Sequence, residues 1–511
     1  MSIEKQCRAY SIPNIVSLPT LEQPIEVELL IPEYCPDIIK ILKCDIKNRV
    51  LNKKINNQSL EIDCCSEITI IYCGDDNIVS SVITKYNYSK TFENKLFNNN
   101  YVEVKISSND FNCRQTSSRR LEVKGSVNVS IDINAFEVKE VISNIERDDI
   151  EQLHRNHDMT TTVFTQEKQL LIEDELLLSS DKPDINYIIR QSATAIINES
   201  KQIGDKAVIK GNIKVDILYC SVNNSPAFFS ELIPFSQIIE LNSQNKTCNI
   251  TSNVKVTSFD VKPIINSTSN TGFLINIGLN VVLYGKCNLP ITLVEDCYST
   301  KVNTDICKDK INIDRLVDTI NDKVVIKKTL TLNESQISSM IDLWCNEVKI
   351  SSMLNDENIK LSGNIECLML FCNIDNIPEY KEFKFDYEFN KKVTNNDKEN
   401  YVAASHRIIS SSYTLLSDNQ VEVQIELQIF AEIFEKIECE FICDLLENDK
   451  PIECDDSIII YFCDKEESTW NIAKKFLTPV KLLIEQNEIN DDIVSSQSVL
   501  VISRMWGGIY E

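Results

Sequence analysis

The chain has 511 residues, of which 43% are hydrophobic and 25% charged, proportions typical of a folded protein with several domains rather than of a disordered chain. Its net charge of −25 argues against nucleic acid and anionic membrane surfaces as partners and favours other proteins. No run reaches the roughly 18 apolar residues of a membrane span, and the first residues lack the apolar core of a signal peptide. We therefore expect a cytoplasmic protein whose membrane association is only indirect, through a partner.

Nineteen cysteines are spread through the chain without a Cys-x-x-Cys pair. Many of them, such as Cys73 and Cys220, end apolar runs, where a reduced thiol behaves as a small hydrophobe. Cys64 and Cys65 are neighbours, and neighbouring residues of a strand point to opposite faces, so they make a poor disulfide. We interpret the cysteines as packing residues in a reducing compartment.

A segment of the sequence is repeated. Glu-Leu-Leu at 28–30, Pro-Asp-Ile at 36–38 and an apolar run ending in Tyr-Cys at 72–73 recur without a gap 147 positions later. A fainter third copy lies 152 positions further on, where Ser335-Gln336 replaces Pro183-Asp184. Such self-similarity indicates a repeated structural unit. We predict a mainly β protein with three repeated sandwich-like or barrel-like modules.

The first half of the chain is predicted as an N-terminal arm (1–20), module 1 (21–140), a polar junction over 141–168 and module 2 (168–297). Alternating valines around Val127 predict a half-buried strand. After the Pro-Asp turn, the spacing of Ile38, Ile41 and Leu42 predicts a short helix, which we expect in each module. In module 2, Gly278 marks a bulge or a close backbone approach.

The second half is predicted as a polar junction over 298–322 and module 3 (323–447), whose plainest strand alternates apolar and polar residues over 421–429. Because glycine is scarce, with ten residues in all, we expect asparagine to form hairpin turns, as at Asn56-Asn57. Residues 455–503 then predict a small α+β domain in the order strand, helix, helix, strand. Ser468 caps the first helix and Pro479 begins the second, which ends near Asn487.

Residues 468–476, together with Asn487 and residues 497–502, resemble a LysM domain. The sequence departs from that pattern at Glu466-Glu467, where Gly-Asp is usual, and at Ser496, where glycine is usual. The Pro-Asp-Ile repeats resemble the SPOCS domain of clostridial spore coat proteins. Three SPOCS copies followed by one LysM domain resemble the SipL-type coat morphogenetic proteins. That resemblance implies a non-catalytic adaptor that binds stage IV sporulation protein A, the ATPase of the basement layer of the coat.

No phosphate-binding glycine loop, Gly-x-Ser-x-Gly elbow or His-Glu-x-x-His helix occurs, so we expect no enzyme and no cofactor. The chain has only three histidines. Two of them, His154 and His157, could be metal ligands on one helical face, but we interpret them as solvated linker residues because no cysteine accompanies them. No metal site is predicted.

The predicted partner-binding residues all lie in the C-terminal domain: Trp470, Asn471, Lys474, Lys475 and Asn487. Trp470 has two plausible roles, which are packing inside the small domain and anchoring a protein partner. Lys474 and Lys475 form either a solvated helix face or a contact to an acidic partner. The expected place of action is the mother-cell cytoplasm, at the forespore surface and in the spore coat. The alternative function is binding of peptidoglycan or cortex glycan through the LysM-like domain, and cross-linking of cysteines in the mature coat is a separate hypothesis.

Overall fold

The computed structural model describes residues 4–33, 35–241, 248–265, 271–333, 335–355, 358–392, 400–451 and 458–503. Within these residues the chain forms 24 strands in eight sheets, two α-helices and one 3-10 turn at Lys95–Phe97. The prediction of a mainly β protein is confirmed. In this part of the chain, no helix combines the length and the apolar character that crossing a membrane requires.

Six of the sheets form three units, each with an outer and an inner sheet that pack face to face around an apolar core. In unit 1, β8 pairs antiparallel with four strands to form the outer sheet, and β3, β4 and β5 form the inner sheet. The strands of unit 1 are β1 (Glu4–Ser17), β2 (Leu21–Leu30), β3 (Ile38–Asn56), β4 (Ser59–Gly74), β5 (Val79–Glu93), β6 (Tyr101–Ser108), β7 (Asn112–Ser117) and β8 (Arg120–Glu146).

Units 2 and 3 have simpler outer sheets of three strands. The strands of unit 2 are β9 (Ile150–Leu177), β10 (Ile185–Ile203), β11 (Lys206–Ser221), β12 (Pro226–Glu240), β13 (Asn249–Ile265) and β14 (Thr271–Ser299). The strands of unit 3 are β15 (Val302–Thr331), β16 (Ile337–Asn355), β17 (Asn358–Asn373), β18 (Pro378–Lys392), β19 (Asn400–Ser417) and β20 (Gln420–Pro451). The outer sheets have the orders β13-β14-β9 and β15-β20-β19, and the inner sheets follow chain order.

The three inner sheets have the same dimensions, with strands of 19, 16 and 15 residues in each unit. The turn between their second and third strands places an asparagine in the left-handed region each time, at Asn77, Asn224 and Asn376, with φ of 60°, 60° and 57°. Asparagine tolerates this conformation better than most residues because its short side chain bonds the local backbone. Asn57 does the same between β3 and β4, which confirms the predicted use of asparagine in turns.

The helix predicted after Pro36-Asp37 is wrong, because Ile38 begins the long strand β3. Bulges interrupt the register of β3 between Ile38 and Lys40 and again between Ile41 and Lys43. Each bulge adds a residue that the partner strand does not match, so apolar residues fall three and four positions apart, as they would in a helix. Ile38 and Ile41 pack in the core of unit 1, whereas Leu42 faces a different cluster shared between units.

The Pro-Asp-Ile turn has a structural purpose that explains its repetition. The Tyr72 hydroxyl donates to the carbonyl of Pro36 at 3.3 Å, and the Tyr219 hydroxyl donates to the carbonyl of Pro183 at 2.9 Å. In unit 3, where Ser335-Gln336 replaces Pro-Asp, the matching aromatic residue is Phe371, which has no hydroxyl to donate. The turn and the aromatic residue that bonds it therefore change together.

Equivalent residues of the three inner sheets meet in one apolar cluster, so the units are arranged around a common centre. The positions occupied by Leu42 in unit 1 and by Ile71 one strand later recur at intervals of 147 and 152 residues, and all six residues belong to this cluster. Its buried members are Leu42, Ile71, Cys73, Val79, Ile189, Leu218, Cys220, Ile341, Trp344, Leu368 and Leu370. The cysteines that end the apolar runs are buried here, in the role predicted from the sequence.

The outer sheets extend beyond the inner sheets as three long antiparallel strand pairs, β1 with β8, β9 with β14 and β15 with β20. These long strand pairs pack on one another, and equivalent residues such as Ile142, Val294 and Ile442 share one cluster. Three local expectations are therefore wrong. The N-terminal arm is a paired strand from residue 4 onward, and the two polar junctions are mostly strand, since β8, β9, β14 and β15 run through them.

Polar residues in the first of these segments are bonded between strands rather than solvated. Thr160 is 6% exposed; its hydroxyl donates to Asn288 Oδ1 at 2.5 Å and accepts from the backbone N–H of Leu316 at 2.7 Å. A buried hydroxyl with partners is tolerated in a core. The polar composition of this segment predicted a linker. Its residues bond to strands that are distant in sequence, and such bonds leave no local sign in the sequence.

Several local predictions are confirmed. Val421, Val423, Ile425, Leu427 and Ile429 alternate into the core of unit 3 and are fully buried. Gly278 lies opposite a bulge of β13 between Val256 and Ser258, and a Cβ there would approach Ser258 Oγ to 2.5 Å.

The expectation that the cysteines are reduced needs a correction. Cys248 and Cys287 form a disulfide that joins the start of β13 to β14. Cys64 and Cys65 are both buried in β4 as free thiols. The described residues therefore contain a disulfide together with free thiols.

The C-terminal domain contains the strand, two helices and strand expected there. Its elements are β21 (Ile458–Phe462), β22 (Glu467–Ser468), α1 (Thr469–Phe476), α2 (Val480–Asn487), β23 (Ile493–Val494) and β24 (Val499–Ser503). β21 pairs antiparallel with β24, and both helices pack on one face of this two-stranded sheet. Residues 455–457 of the predicted domain lie outside the described ranges.

Candidate functional site

The first helix of the C-terminal domain begins as the sequence predicts. Ser468 is its N-cap, and the hydroxyl oxygen of Ser468 accepts from the backbone N–H of Asn471 at 3.2 Å. Ile472 and Ala473 are fully buried against the small sheet. This orientation of the helix leaves Trp470 and Lys474, four residues apart, on the side that faces unit 2.

Trp470 and Lys474 both contact Asp296, a residue of β14 in unit 2. Trp470 Nε1 donates to Asp296 Oδ2 at 3.0 Å, and Lys474 Nζ lies 2.6 Å from both carboxylate oxygens. The carboxylate is thereby bound by one aromatic N–H and one ammonium group. Two of the predicted partner-binding residues thus bind another part of their own chain.

Tyr298, two residues further along β14, completes this contact. Its ring meets Trp470 edge to face with centroids 5.1 Å apart, a favourable geometry for aromatic pairs. Its hydroxyl donates to the carbonyl of Thr478, between the two helices, at 2.7 Å. Because Tyr298 is only 3% exposed, the contact is closed to water on that side. We call the contact made by Asp296, Tyr298, Trp470 and Lys474 the docking contact.

The docking contact perturbs ionisation. Burial raises the pKa of the Asp296 carboxyl, but the hydrogen bonds from Lys474 and Trp470 outweigh burial, so the net pKa lies below the usual range. The ionised form of Asp296 is therefore the form that holds the domain.

Glu151 lies near the start of α2. Burial raises the pKa of the Glu151 carboxyl, although a hydrogen bond from the backbone of Val480 offsets part of the effect.

The other predicted partner-binding residues have different surroundings. The Asn487 side-chain amide donates to the carbonyl of Val501 at 2.8 Å, and its Oδ1 accepts from the N–H of Val501 at 2.7 Å. This pair of bonds fastens α2 to β24. Lys475 is exposed, and its ammonium lies 4.4 Å from the centroid of the Tyr461 ring. Asn471 is exposed on α1.

The opposite side of the domain exposes an apolar surface that sequence reasoning missed. In β21 and β24, alternate residues pack under the helices and the remaining residues point outward. Cross-strand pairs join Ile460 to Val501 and Phe462 to Val499, so the outward residues share one face. This outward face consists of Ile458, Ile460, Phe462, Val499 and Val501, which are between 45% and 65% exposed. Contiguous apolar surface of this kind is typical of interaction sites.

A signal for the outward face was present in the sequence. The run Ile-Ile-Ile-Tyr-Phe at 458–462 is apolar on both faces of its strand, and a strand covered by helices on one side only should alternate. A strand that is apolar on both faces, in a domain with helices on one side, indicates an exposed apolar face. The docking contact has no such signal, since Asp296 lies 174 residues from Trp470.

Two further features of the body bring polar side chains together in sequence or space, a histidine pair and a cavity between the units. His154 and His157 lie three apart in β9, so their side chains point to opposite faces and cannot converge on one ion. No group of three or more potential metal ligands exists in the described residues. A cavity of about 870 Å³ lies between the units, and two of the charged residues that line it, Lys286 and Glu432, pair with each other at 2.5 Å.

Fold and site together define a β-rich body of three packed units that carries a small α+β domain with an exposed apolar face. Residues 184–264 match the SipL, SPOCS domain family. The matched segment contains β10, β11, β12 and nearly all of β13, that is, the inner sheet of unit 2 with one outer strand. The match connects the chain with sporulation and the spore coat. No curated protein and no solved structure matches the chain.

Proposed function

We propose that this protein is a non-catalytic adaptor of spore coat assembly. In this proposal the three-unit body is a scaffold, and the C-terminal LysM-like domain binds stage IV sporulation protein A, the coat ATPase. The protein then acts in the mother-cell cytoplasm, where it helps to localise the coat and to encase the forespore. Other coat proteins are further possible partners of the body, and any contact with the forespore membrane runs through the ATPase.

Two observations support the domain assignments in this proposal. The inner sheets of units 1 and 3 have the strand lengths and asparagine turns of the sheet that matches the SPOCS family. Three SPOCS copies are the simplest explanation. The strand, helix, helix, strand order of residues 458–503 is that of the LysM resemblance noted above.

The observation that carries the binding proposal is the outward face of the C-terminal sheet. Its five apolar side chains remain in water in this chain, and burying each of them against a partner contributes on the order of 1 kcal/mol. Phe462 is the largest and is 64% exposed. Aromatic residues at the centre of an apolar face are frequent binding hot spots.

Within this proposal Trp470 and Lys474 act on binding indirectly. Because they hold the domain on β14, they fix the direction in which the outward face points. Asn487 contributes by fastening α2 to β24, and Lys475 and Asn471 are available at the exposed surface of α1. The five predicted residues thus divide into three that maintain the domain and two that are free to meet the ATPase.

The test is Phe462→Glu in the full chain, measured by calorimetry with the purified ATPase. We expect affinity to fall at least about 10-fold, because a charge replaces an apolar contact, while the thermal midpoint is unchanged. The matched control is Ile493→Glu, since Ile493 is 58% exposed in the same domain but outside the outward face. Equal affinity of Phe462→Glu and the unmodified chain contradicts the proposal, as does an equal loss in the control.

Glycan binding through the same domain is the alternative. It predicts measurable affinity for muropeptides that Phe462→Glu leaves unchanged. The exposed acidic Glu466 in the loop before α1 adds negative charge where a LysM groove binds its sugar, and the Asn487 side chain is already engaged with Val501. Both features favour the protein partner over the glycan.

A further inference from the structure

Two exposed cysteines far apart in sequence meet on the long strand pair of unit 3, β15 with β20. Cys307 lies in β15 and Cys443 in β20, and the register pairs Cys307 with Asp444 and the next residue, Lys308, with Ile442. Cys443 is therefore the extra residue of a bulge directly beside Cys307. The interaction with the neighbouring Cys307 thiol raises the pKa of Cys443. Both cysteines are exposed.

We propose that Cys307 and Cys443 form a reversible disulfide site that is oxidised by hydroperoxides. The Cys307 sulfur attacks the peroxide oxygen, and the O–O bond breaks to leave a sulfenic acid on Cys307 and one molecule of alcohol or water. The Cys443 sulfur then attacks the Cys307 sulfur, the S–O bond breaks, and a second water leaves. In sum, two thiols lose two electrons and two protons, and one hydroperoxide takes them up.

Exposure distinguishes this pair from two other thiol pairs that touch. Cys44 lies close enough to Cys113, and Cys345 to its cross-strand partner Cys367, for each pair to interact, but Cys367 is buried and the other three are half-buried. Oxidant access governs thiol oxidation as much as thiolate character does. The pair of Cys307 and Cys443 is therefore expected to oxidise first.

The position of the site gives the disulfide a structural consequence. It would close residues 307–443 into a covalent ring that contains β16, β17, β18 and β19, which is the inner sheet of unit 3 and one outer strand. Lys308, the neighbour of Cys307, lies 3.8 Å from the Asp296 carboxylate of the docking contact. Oxidation would thus link β15 covalently to β20 next to the surface that holds the C-terminal domain. This inference is independent of the identity of the binding partner.

The experiment exposes the reduced full chain to hydrogen peroxide, blocks remaining thiols with an alkylating agent and maps peptides by mass spectrometry. We expect a cross-linked peptide that joins residues 307 and 443, lighter by about 2 Da than the two free thiols and released by dithiothreitol. Its formation should be at least about 10-fold faster than that of a Cys44–Cys113 cross-link. Cys443→Ser abolishes the cross-linked peptide, whereas Cys7→Ser, at an exposed cysteine of β1, retains it.

The proposal is overturned if Cys307 and Cys443 of the unmodified chain are alkylated or oxidised separately, at the rate of Cys7. A disulfide from Cys443 to any other cysteine overturns it equally. Both substituted side chains are exposed, so the variants should keep the thermal midpoint of the reduced chain, and a midpoint measurement verifies this.

Discussion

Among the ion pairs that join separate parts of this chain, two differ clearly in burial. Arg190 of unit 2 and Asp342 of unit 3 form a pair with N–O distances of 2.7 and 2.8 Å, and their side chains are 5% and 3% exposed. Lys474 of the C-terminal domain and Asp296 of unit 2 form a pair at 2.6 Å, and their side chains are 38% and 13% exposed. The distances are alike, but the access of water is not.

The difference indicates two kinds of junction. Separating units 2 and 3 would expose the apolar cluster that they share, including Trp344, whose ring lies 4.5 Å from the Arg190 guanidinium, and exposing buried apolar surface to water is costly. Separating the C-terminal domain would return Lys474, already partly solvated, to water at little cost. We therefore interpret the three units as one permanent body and the C-terminal domain as a separable part.

Asp342→Ala should have the largest effect. It leaves the Arg190 guanidinium buried without its carboxylate, and removing one partner of a buried pair costs about 3–5 kcal/mol of folding stability. The effect should appear as a large decrease of the urea midpoint of the whole body rather than of one part.

A double variant provides the control. Arg190→Met with Asp342→Leu removes both charges, and replacement of a buried pair by apolar residues of similar volume is often neutral. Recovery of most of the lost stability supports the account above. A double variant as unstable as Asp342→Ala would show that the attraction between the two charges stabilises the body by more than the cost of burying them.

Asp296→Ala should have a smaller and local effect. It removes the acceptor of Trp470 Nε1 and of Lys474, and we expect a loss of about 1–2 kcal/mol from the docking contact, reduced by the exposure of Lys474. Hydroxyl-radical footprinting should show increased labelling of Tyr298, which is 3% exposed when docked. The urea midpoint of the body should stay unchanged.

The matched control is Asp444→Ala. Asp444 occupies the equivalent position on β20, 148 residues after Asp296, and it pairs with Lys5 instead of the C-terminal domain. Labelling of Tyr298 should remain low in this variant. If Asp296→Ala leaves Tyr298 equally protected, the C-terminal domain is held by other contacts and the distinction between the two junctions fails.

The sequence predicts the β-rich class because the clean strands alternate. Along 421–429 one face meets the core and the other meets water, so period two is visible. The same rule fails at residues 38–42, where two bulges change the face on which each residue lies. Irregular pairing is decided by the partner strand and the partner sheet, neither of which is local in sequence.

The site was predicted in part. The helix that carries Trp470 and Lys474 was expected at its observed position because Ser468 and the apolar spacing are local signals. The docking partners of those residues were not foreseen, since Asp296 lies at the predicted end of module 2 and Tyr298 at the start of the predicted polar junction. Without that contact the sequence leaves the partner of Trp470 open, and the local sign of the outward face is the run at 458–462, which is apolar on both faces of its strand.

The smallest effect is expected at Lys43, which occupies in unit 1 the position of Arg190 in unit 2 and Asp342 in unit 3, at intervals of 147 and 152 residues. Lys43 pairs with Glu382 of unit 3, and the two side chains are 19% and 37% exposed. Lys43→Met should cost less than about 1 kcal/mol, because water solvates both charges when they separate. The urea midpoint measures this, with Lys360→Met as a control, since Lys360 forms a more exposed pair with Glu388 inside one sheet. A loss at Lys43 as large as that of Asp342→Ala would mean that position at the junction, rather than burial, sets the strength of each pair.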